Sequence, residues 1–229
     1  MQGKVVLITG AKGGLGSPVT ELFLSAKAKV AGVARVMAQS DFPHPNFYAF
    51  EADLSSRPAA AAMVNAVLTR LGQIDALVHV VGGFAGGKPV HETDDATWQS
   101  MRQLNFDTAL YTISAVIPQM RQQGAGRIVV VGSKAAEAAH ANLGAYVVFK
   151  SALAVLTRTV ALENAGHGIT ANLVLPGTMD TAANRASDPQ ADFSQWVAPL
   201  EVAKLILWLA GDEAAAQLNG TAIPVDRNP

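Results

Sequence analysis

The chain contains no cysteine, so neither disulfides nor thiolate metal sites are available to it, and no metal site is predicted. Charged residues are also scarce: they make up 15% of the 229 residues and leave a formal net charge of −1. No basic or acidic block occurs anywhere along the chain. Nucleic acid and membrane surfaces are therefore not expected partners.

Long hydrophobic runs are missing as well. No uninterrupted apolar stretch approaches the roughly 18 residues of a membrane-spanning helix, and the first apolar run, Val5 to Ile8, is too short for a signal peptide. Half of the residues are nevertheless apolar, which is ample material for a large buried core. We therefore expect a single soluble, cytoplasmic domain over residues 1–229.

Short apolar runs rich in Val and Ile alternate with segments of helical length, which is typical of strands buried on both faces of a parallel sheet. The predicted strands are Val5 to Ile8, Val30 to Ala34, Phe47 to Phe50, Ala76 to Val81, Ile128 to Val131, Ala171 to Leu175 and Ala222 to Val225. The predicted helices are Leu15 to Ala26, Pro58 to Leu71, Thr93 to Gln122, Gly144 to Ala165 and Leu200 to Ala210. This alternation predicts an α/β fold with a doubly wound, seven-stranded parallel sheet of Rossmann type.

Two connections depart from this pattern. Only ten residues separate Arg35 from Asn46, and two of them are proline, so the second crossover is expected to be short and irregular. The stretch Thr178 to Pro199 is rich in small and polar residues and follows a strand end, where ligands bind in such sheets. We expect residues 178–199 to form a mobile lid.

A glycine-rich loop follows the first predicted strand and opens the first predicted helix: Gly10-Ala11-Lys12-Gly13-Gly14-Leu15-Gly16. Residues without a Cβ let a pyrophosphate approach the backbone closely, and the N–H groups of the helix start then bind it. The position between strand and helix indicates a dinucleotide cofactor. The spacing differs from the commoner Gly-x-Gly-x-x-Gly.

Tyr146 and Lys150 are four residues apart on a predicted helix and therefore share a face. A tyrosine of pKa ~10 is a poor proton donor near neutrality, and lowering that pKa by about three units costs ~4 kcal/mol. An ammonium ~4 Å away supplies about this much at an effective dielectric of 20. The pair is thus a sufficient acid–base device, although the same spacing also arises by chance.

Two further polar residues strengthen this interpretation. Ser133 ends a predicted strand 13 residues before Tyr146, where its hydroxyl could bond a substrate oxygen. Asn105 lies midway along the long predicted helix, without an obvious packing reason. Each also has an ordinary explanation, since serines often end strands and asparagines often face solvent.

Several segments, in this order and spacing, resemble the short-chain dehydrogenases/reductases over nearly the whole chain. They are Thr9-Gly-x-x-x-Gly14-x-Gly16, Ala52-Asp53-Leu54, Leu104-Asn105, Ser133, Tyr146-x-x-x-Lys150 and Pro176-Gly177-Thr178-x-x-Thr181. The resemblance implies that Tyr146 exchanges the proton, Ser133 orients the substrate oxygen, Lys150 lowers the tyrosine pKa and holds the nicotinamide ribose, and Asn105 anchors a proton-relay water. The implied cofactor-binding residues are Gly10, Lys12, Gly13, Gly14, Leu15, Gly16, Arg35, Asp53, Leu54, Gly82, Gly83, Tyr146, Lys150, Pro176, Gly177, Thr178, Met179 and Thr181.

Two departures from the family pattern bear on these roles. The family's Asn-Asn-Ala-Gly is replaced by His79-Val80-Val81-Gly82, and we interpret His79 as a structural hydrogen-bonding residue. After the second strand, Ala34-Arg35 stands where a carboxylate would select NAD. A guanidinium there, with Lys12 as a second cation, favours the 2′-phosphate of NADP, while NAD stays possible.

The substrate is the least determined part of the prediction. Gly82 to Gly87, Leu175 to Arg185 and Ala191 to Trp196 resemble the dihydropteridine reductases, in which Phe84 or Trp196 could stack on a flat pterin. Because Ser133 is present, a carbonyl substrate is ranked first and a pterin second. A sensor or scaffold that binds NAD(P) without turnover is a further alternative. The apolar surface of the two longest predicted helices favours a homodimer or homotetramer.

Overall fold

In the computed structural model, which describes residues 1–227, one parallel seven-stranded sheet carries helices on both faces. The strands are β1 (Val5–Thr9), β2 (Lys29–Ala34), β3 (Phe47–Glu51), β4 (Ala76–His79), β5 (Gly126–Val131), β6 (Ile169–Pro176) and β7 (Ala222–Val225). The helices are α1 (Gly16–Ser25), α2 (Arg57–Leu71), α3 (Asp95–Arg102), α4 (Thr108–Gln123), α5 (Gly144–Asn164), α6 (Ala182–Ser187) and α7 (Pro199–Gly211). The predicted fold class is confirmed; residues 228–229 of the predicted domain lie outside the described residues.

The strand order fixes where a ligand can bind. The strands follow the order β3-β2-β1-β4-β5-β6-β7, and all neighbouring pairs are parallel. The chain therefore changes direction across the sheet between β1 and β4, which opens a crevice at the carboxyl ends of these two strands. The loops that follow β1, β4 and β5 border this crevice.

Alternation along each strand divides the core into two layers. In β1, Val6 and Ile8 belong to the cluster that contains Val19 of α1 and Ile206 of α7. Leu7 belongs instead to the cluster formed by residues of α2, α4 and α5. Because successive strand side chains point to opposite faces, one continuous apolar run supplies both layers. This explains why the strands appear in the sequence as uninterrupted apolar runs.

The second crossover is short, as predicted. Between β2 and β3 the chain forms only a three-residue 3₁₀ turn, Gln39–Asp41, in place of a helix. The helix predicted for Thr93 to Gln122 is continuous from residue 95 to residue 123, and a five-residue π-turn within it, Gln103–Asp107, separates α3 from α4. That turn buries Asn105, which is 1% exposed. Widened turns of this kind often occur at functional sites.

The segment predicted as a lid, residues 178–199, is held by contacts among its own residues. It contains the short helix α6, and the backbone of Met179 pairs with that of Val197 at its base. Within the segment, Arg185 forms an ion pair with Asp180 and lies 4.6 Å above the ring of Phe193. Whether the segment moves stays a prediction.

One helical segment, Gly144–His167, is long and apolar enough to cross a membrane by length and composition, with a mean hydropathy of 1.5. Lys150 and Arg158 interrupt its apolar residues, so the sequence shows no continuous run. Here α5 packs on β6, and 33% of the apolar window is buried. The outward side carries a row at seven-residue intervals, Val148, Val155 and Leu162, which are 49%, 61% and 82% exposed.

Candidate active site

The carboxyl end of β5 and the first turns of α5 bring three predicted residues together. Ser133 lies two residues beyond β5, and its hydroxyl caps a 3₁₀ turn by accepting the N–H of Ala135 at 3.2 Å. Lys150 is 5% exposed, and its Nζ donates to the carbonyl oxygen of Val131 at 3.1 Å. Tyr146 lies one helical turn earlier and is close enough for the Ser133 hydroxyl to influence its ionisation.

The phenol of Tyr146 differs from the expectation in one respect. Burial raises its pKa above the ordinary value of 10.0, and a hydrogen bond with Ser133 offsets only part of this rise. The Lys150 ammonium donates to the Val131 carbonyl and does not offset this rise. The net shift is therefore opposite in direction to the one predicted from Lys150, and Tyr146 is a protonated phenol at neutral pH.

Lys150 is itself perturbed by its surroundings. Burial lowers the pKa of Lys150 to about 8, because a low-dielectric environment disfavours the ammonium. At neutral pH the Lys150 side chain is still mostly protonated. Because its pKa lies about one unit above neutrality, it can also release its proton near that pH. Such a group can return a proton to a neighbouring phenolate.

Asn105 and two glycines complete this group. The Asn105 side chain makes two hydrogen bonds with one residue: Nδ2 donates to Gly83 O at 3.0 Å, and Oδ1 accepts from Gly83 N at 3.1 Å. At Gly82, a Cβ would lie 3.1 Å from both Asn105 Oδ1 and Lys150 Nζ. Glycine at this position therefore lets the β4 loop pass between the two polar side chains.

The glycine loop has the predicted form. Gly10 has a φ of +68°, in the left-handed region that favours glycine, and a Cβ at Gly16 would overlap the carbonyl oxygen of Gly10. The residue before α1, Leu15, is buried and offers no side-chain cap to the N–H groups of the helix start. A phosphate fits a helix start whose donors have no side-chain partner. The loop therefore suits the pyrophosphate of a dinucleotide.

Arg35 and Lys12, which are predicted to bind a 2′-phosphate, lie in different surroundings. Arg35 is exposed and lies one residue beyond β2. Lys12 is engaged in an ion pair with Asp41, at 3.0 Å, which brings the short crossover onto the glycine loop. Asp41 also accepts the N–H of Ala38, and this bond and the one from Lys12 hold the pKa of its carboxyl below the ordinary value. This acid is not predictable from the sequence, because nothing in its spacing links it to Lys12.

The remaining predicted cofactor residues lie along the same carboxyl edge. Asp53 is exposed beyond β3 and accepts the N–H of Ser55 at 3.0 Å, whereas Leu54 is buried in the core. The segment Pro176 to Thr181 runs from the end of β6 to the N-cap of α6. A Cβ at Gly14 would lie 2.8 Å from Thr181 Cγ2, so the base of the lid touches the glycine loop.

The structure separates the two aromatic residues predicted for the substrate. Phe84 is 64% exposed, and its ring lies 5.0 Å from that of Tyr146. Trp196 is 9% exposed and packs against Phe193 within the lid segment, with ring centroids 4.8 Å apart. Only Phe84 thus stands beside the phenol.

Comparisons with known proteins agree with this geometry. A family model described as short chain dehydrogenase matches residues 4–192. The short chain dehydrogenase adrF of Penicillium roqueforti is 30% identical, covering 99% of this chain and 96% of its own. The 2,3-dihydro-2,3-dihydroxybenzoate dehydrogenase of Escherichia coli (strain K12) is also 30% identical, covering 93% and 92%. The solved structure of ElxO with NADP bound has a TM-score of 0.92 at 23% identity and covers 98% of both chains, which is a likeness of fold.

Proposed function

The chain belongs to the short-chain dehydrogenase family, as the sequence resemblance predicted, and from this we propose that it reduces a carbonyl group with Tyr146 as the proton donor. The chain is an oxidoreductase of this family, and the proposal concerns its substrate, its residues and its preferred cofactor. The observation that carries the proposal is the convergence of Ser133, Tyr146 and Lys150 at the carboxyl end of β5.

The donors at the site suit a carbonyl oxygen that gains negative charge. The glycine loop from Gly10 to Gly16 would hold a nicotinamide dinucleotide, which would supply the hydride for the carbonyl carbon. The Ser133 hydroxyl donates a hydrogen bond to the oxygen, and the Tyr146 phenol transfers its proton to it, which yields an alcohol. The raised pKa of Tyr146 keeps the proton on the phenol until the oxygen becomes strongly basic.

Lys150 and Asn105 support this proton transfer. Lys150 supplies a buried cation one helical turn from Tyr146, and its pKa of about 8 suits it to replace the proton lost from the phenol. Asn105 holds Gly83 by two hydrogen bonds, which fixes Gly82 against Lys150. A water between Asn105 and Lys150 would connect the phenol to solvent, as the family resemblance implies.

We propose NADPH as the preferred cofactor and NADH as a possible one. Arg35 is exposed at the end of β2 and is free to approach a 2′-phosphate, and no carboxylate follows that strand directly. Lys12 contributes less than the sequence predicted, because Asp41 neutralises it. The preference therefore rests mainly on Arg35.

Pterin reduction is the second candidate, and one observation favours it. The exposed ring of Phe84 beside Tyr146 offers a flat apolar surface for a heterocycle. The hydroxyl of Ser133 next to the phenol favours a carbonyl instead. Binding of NAD(P) without turnover, as in a sensor or scaffold, is the alternative from another class.

A cofactor-oxidation assay separates these possibilities. The protein is given NADPH or NADH with a panel of ketones and aldehydes, and separately with a quinonoid dihydropterin. We expect turnover with a carbonyl and a lower KM for NADPH. Turnover with the dihydropterin alone would favour the second candidate, and tight cofactor binding without any turnover would favour the sensor.

Assembly and location are parts of the same proposal. The outward row of α5 formed by Val148, Val155 and Leu162 exposes apolar side chains, which supports a homodimer or homotetramer. We expect a cytoplasmic protein that acts on a small molecule. Sedimentation equilibrium of the wild type and of a Leu162→Glu variant tests the assembly, since a charge at this position should favour the monomer.

A further inference from the structure

A chain of hydrogen bonds crosses the buried space between β1, β4 and the π-turn, with His79 at its centre. His79 Nδ1 lies 3.0 Å from Thr9 Oγ1, and Nε2 lies 3.3 Å from Thr108 Oγ1. The exposed fractions of Thr9, His79 and Thr108 are 0%, 1% and 4%. These buried polar atoms therefore depend on one another for their hydrogen bonds.

The other partners of the two threonines assign the direction of each bond. Thr9 Oγ1 accepts the backbone N–H of Val80 at 3.2 Å, and His79 Nδ1 is the acceptor within reach of its own hydrogen. Thr108 Oγ1 donates to the carbonyl oxygen of Leu104 at 3.0 Å, so it accepts from His79 Nε2. Only the neutral tautomer with hydrogen on Nε2 satisfies every atom of this chain.

The imidazole is held in that neutral form. Burial, and to a smaller extent the nearby cation of Lys150, lower the pKa of His79 to about 3. A second proton, on Nδ1, would face the hydrogen of Thr9 and break the chain. The arrangement is therefore unchanged across the whole physiological pH range.

One end of this chain of hydrogen bonds lies on the segment that carries Asn105. Thr108 is the first residue of α4, directly after the π-turn, and Leu104 lies within the turn next to Asn105. At the other end, Thr9 is the last residue of β1 and precedes Gly10 of the glycine loop. His79 thus joins the start of the glycine loop to the turn that holds Gly83.

We propose that His79 is a positioning residue, a neutral Nε2–H imidazole that fixes the π-turn so that the Asn105 amide keeps its two hydrogen bonds to Gly83. Through Gly83 and Gly82 it sets the place of Asn105 relative to Lys150. This inference rests on the proposed function only in its effect on turnover; the bonding pattern itself stands independently of any substrate.

Nitrogen NMR of the wild-type protein tests the bonding pattern without a substrate. The five histidines are told apart by replacing His44, His91, His140 and His167 one at a time, so that the remaining resonance belongs to His79. We expect His79 to show a protonated Nε2 and an unprotonated Nδ1, unchanged between pH 5 and 8, whereas an ordinary histidine titrates there. A protonated Nδ1 or a titrating ring would overturn the proposal.

Two conservative variants then separate the two ends of the chain. Asparagine places an acceptor near the position of Nδ1 and keeps the bond to Thr9, whereas glutamine places a donor near Nε2 and keeps the bond to Thr108. We expect the side-chain amide signals of Asn105 to shift in His79→Asn and to stay near their wild-type positions in His79→Gln. On the substrate found by the oxidation assay, kcat should fall about tenfold to a hundredfold in His79→Asn and be largely kept in His79→Gln.

The KM for the cofactor provides the matched control. It should stay near the wild-type value in His79→Asn, because the end of the chain next to the glycine loop is intact. Equal losses of kcat in both variants, with the Asn105 signals unmoved and equal falls in melting temperature, would show that His79 only fills the core. If neither variant folds, the tautomer of the wild-type ring still decides the proposal.

Discussion

The ring of Phe84 meets the ring of Tyr146 edge to face, with centroids 5.0 Å apart and an interplanar angle of 72°. Phe84 is itself 64% exposed, so it covers the phenol while it remains in contact with solvent. Burial is the main cause of the raised pKa of Tyr146. The position of Phe84 therefore links the ionisation of the proposed proton donor to a surface side chain.

Replacement of Phe84 by alanine should lower the pKa of Tyr146 towards its ordinary value, because water then reaches the phenol and stabilises the phenolate. Ultraviolet titration of the phenolate, with Tyr146→Phe used to identify its contribution, measures the shift. Phe193→Ala is the control, since Phe193 packs on Trp196 in the lid segment. An equal pKa in wild type and Phe84→Ala would show that other groups bury the phenol.

The buried His79 should make the fold sensitive to acid. The unfolded chain takes up a proton near pH 6.5, whereas the folded protein does so only near pH 3. The free energy of unfolding should therefore fall as the pH is lowered through this window, by up to about 1.4 kcal/mol per pH unit from this one group.

Urea unfolding of wild type and His79→Asn across this window measures that dependence. The slope of the free energy of unfolding against pH should be smaller in the variant, because the carboxyl groups are common to both proteins. His167→Asn, which alters an exposed histidine outside the site, should keep the wild-type slope. Identical slopes for wild type and His79→Asn would mean that the imidazole is not held neutral.

The contact between Gly14 and Thr181 should limit the glycine loop. A Cβ at position 14 would lie 2.8 Å from Thr181 Cγ2, so Gly14→Ala must displace the loop or the base of the lid. We expect about tenfold weaker cofactor binding, which corresponds to about 1 to 2 kcal/mol of overpacking.

Substitutions at Thr181 test whether its contact with position 14 causes the weaker binding. Thr181→Ser removes Cγ2 but keeps Cβ, which would lie 3.0 Å away, so it should restore part of the binding in the Gly14→Ala background, whereas Thr181→Val keeps a methyl group there and should not. Calorimetric titration with NADPH measures each variant. Equal dissociation constants for both double variants would show that the loop, rather than this contact, causes the loss.

The ion pair between Lys12 and Asp41 should moderate the cofactor preference. Asp41→Asn removes a negative charge and frees Lys12, so binding of NADPH should improve about threefold relative to NADH at low salt. Arg35→Ala should change the ratio in the opposite direction. Glu163→Gln, near the far end of α5, is the charge-matched control. A binding ratio unaffected by Asp41→Asn and Arg35→Ala would remove both residues from the account of cofactor choice.

The fold was predictable because the inner strands of the sheet, such as β1 and β4, are buried on both faces. Leu7, for example, is fully buried, as are Val6 and Ile8 on either side of it, so the run is apolar at every position. Parallel strands need crossovers, and the lengths between apolar runs left room for helices everywhere except between β2 and β3. Composition and spacing alone therefore determine the architecture.

The π-turn was not predictable from residue types. Gln103 to Asp107 contains no proline or glycine and follows a helical pattern, so nothing in it marks a widened turn. Its cause lies in tertiary contacts: Thr108 meets His79 from β4, and Asn105 meets Gly83 from the loop beyond. Such contacts join positions more than twenty apart in the chain and are invisible to local periodicity.

The candidate site, like the fold, was predictable only in part. The spacing of Tyr146 and Lys150 predicted that they share a helix face, and Ser133 was placed by the end of its strand. The direction of the tyrosine pKa was wrong, because the sequence shows neither the burial of the phenol nor the Val131 carbonyl that binds Lys150. Asp41 was missed for a similar reason, since its partner Lys12 lies 29 positions away.

The most direct measurement of the central claim compares turnover of two tyrosine variants on the same carbonyl substrate. Tyr146→Phe removes the proposed proton donor, whereas Tyr111→Phe removes a phenol on α4 that lies below the guanidinium of Arg57. We predict that kcat falls by about 10² to 10⁴ in Tyr146→Phe and stays at the wild-type value in Tyr111→Phe, with NADPH still bound by both. Equal turnover in the two variants would contradict the assignment of Tyr146 as the proton donor.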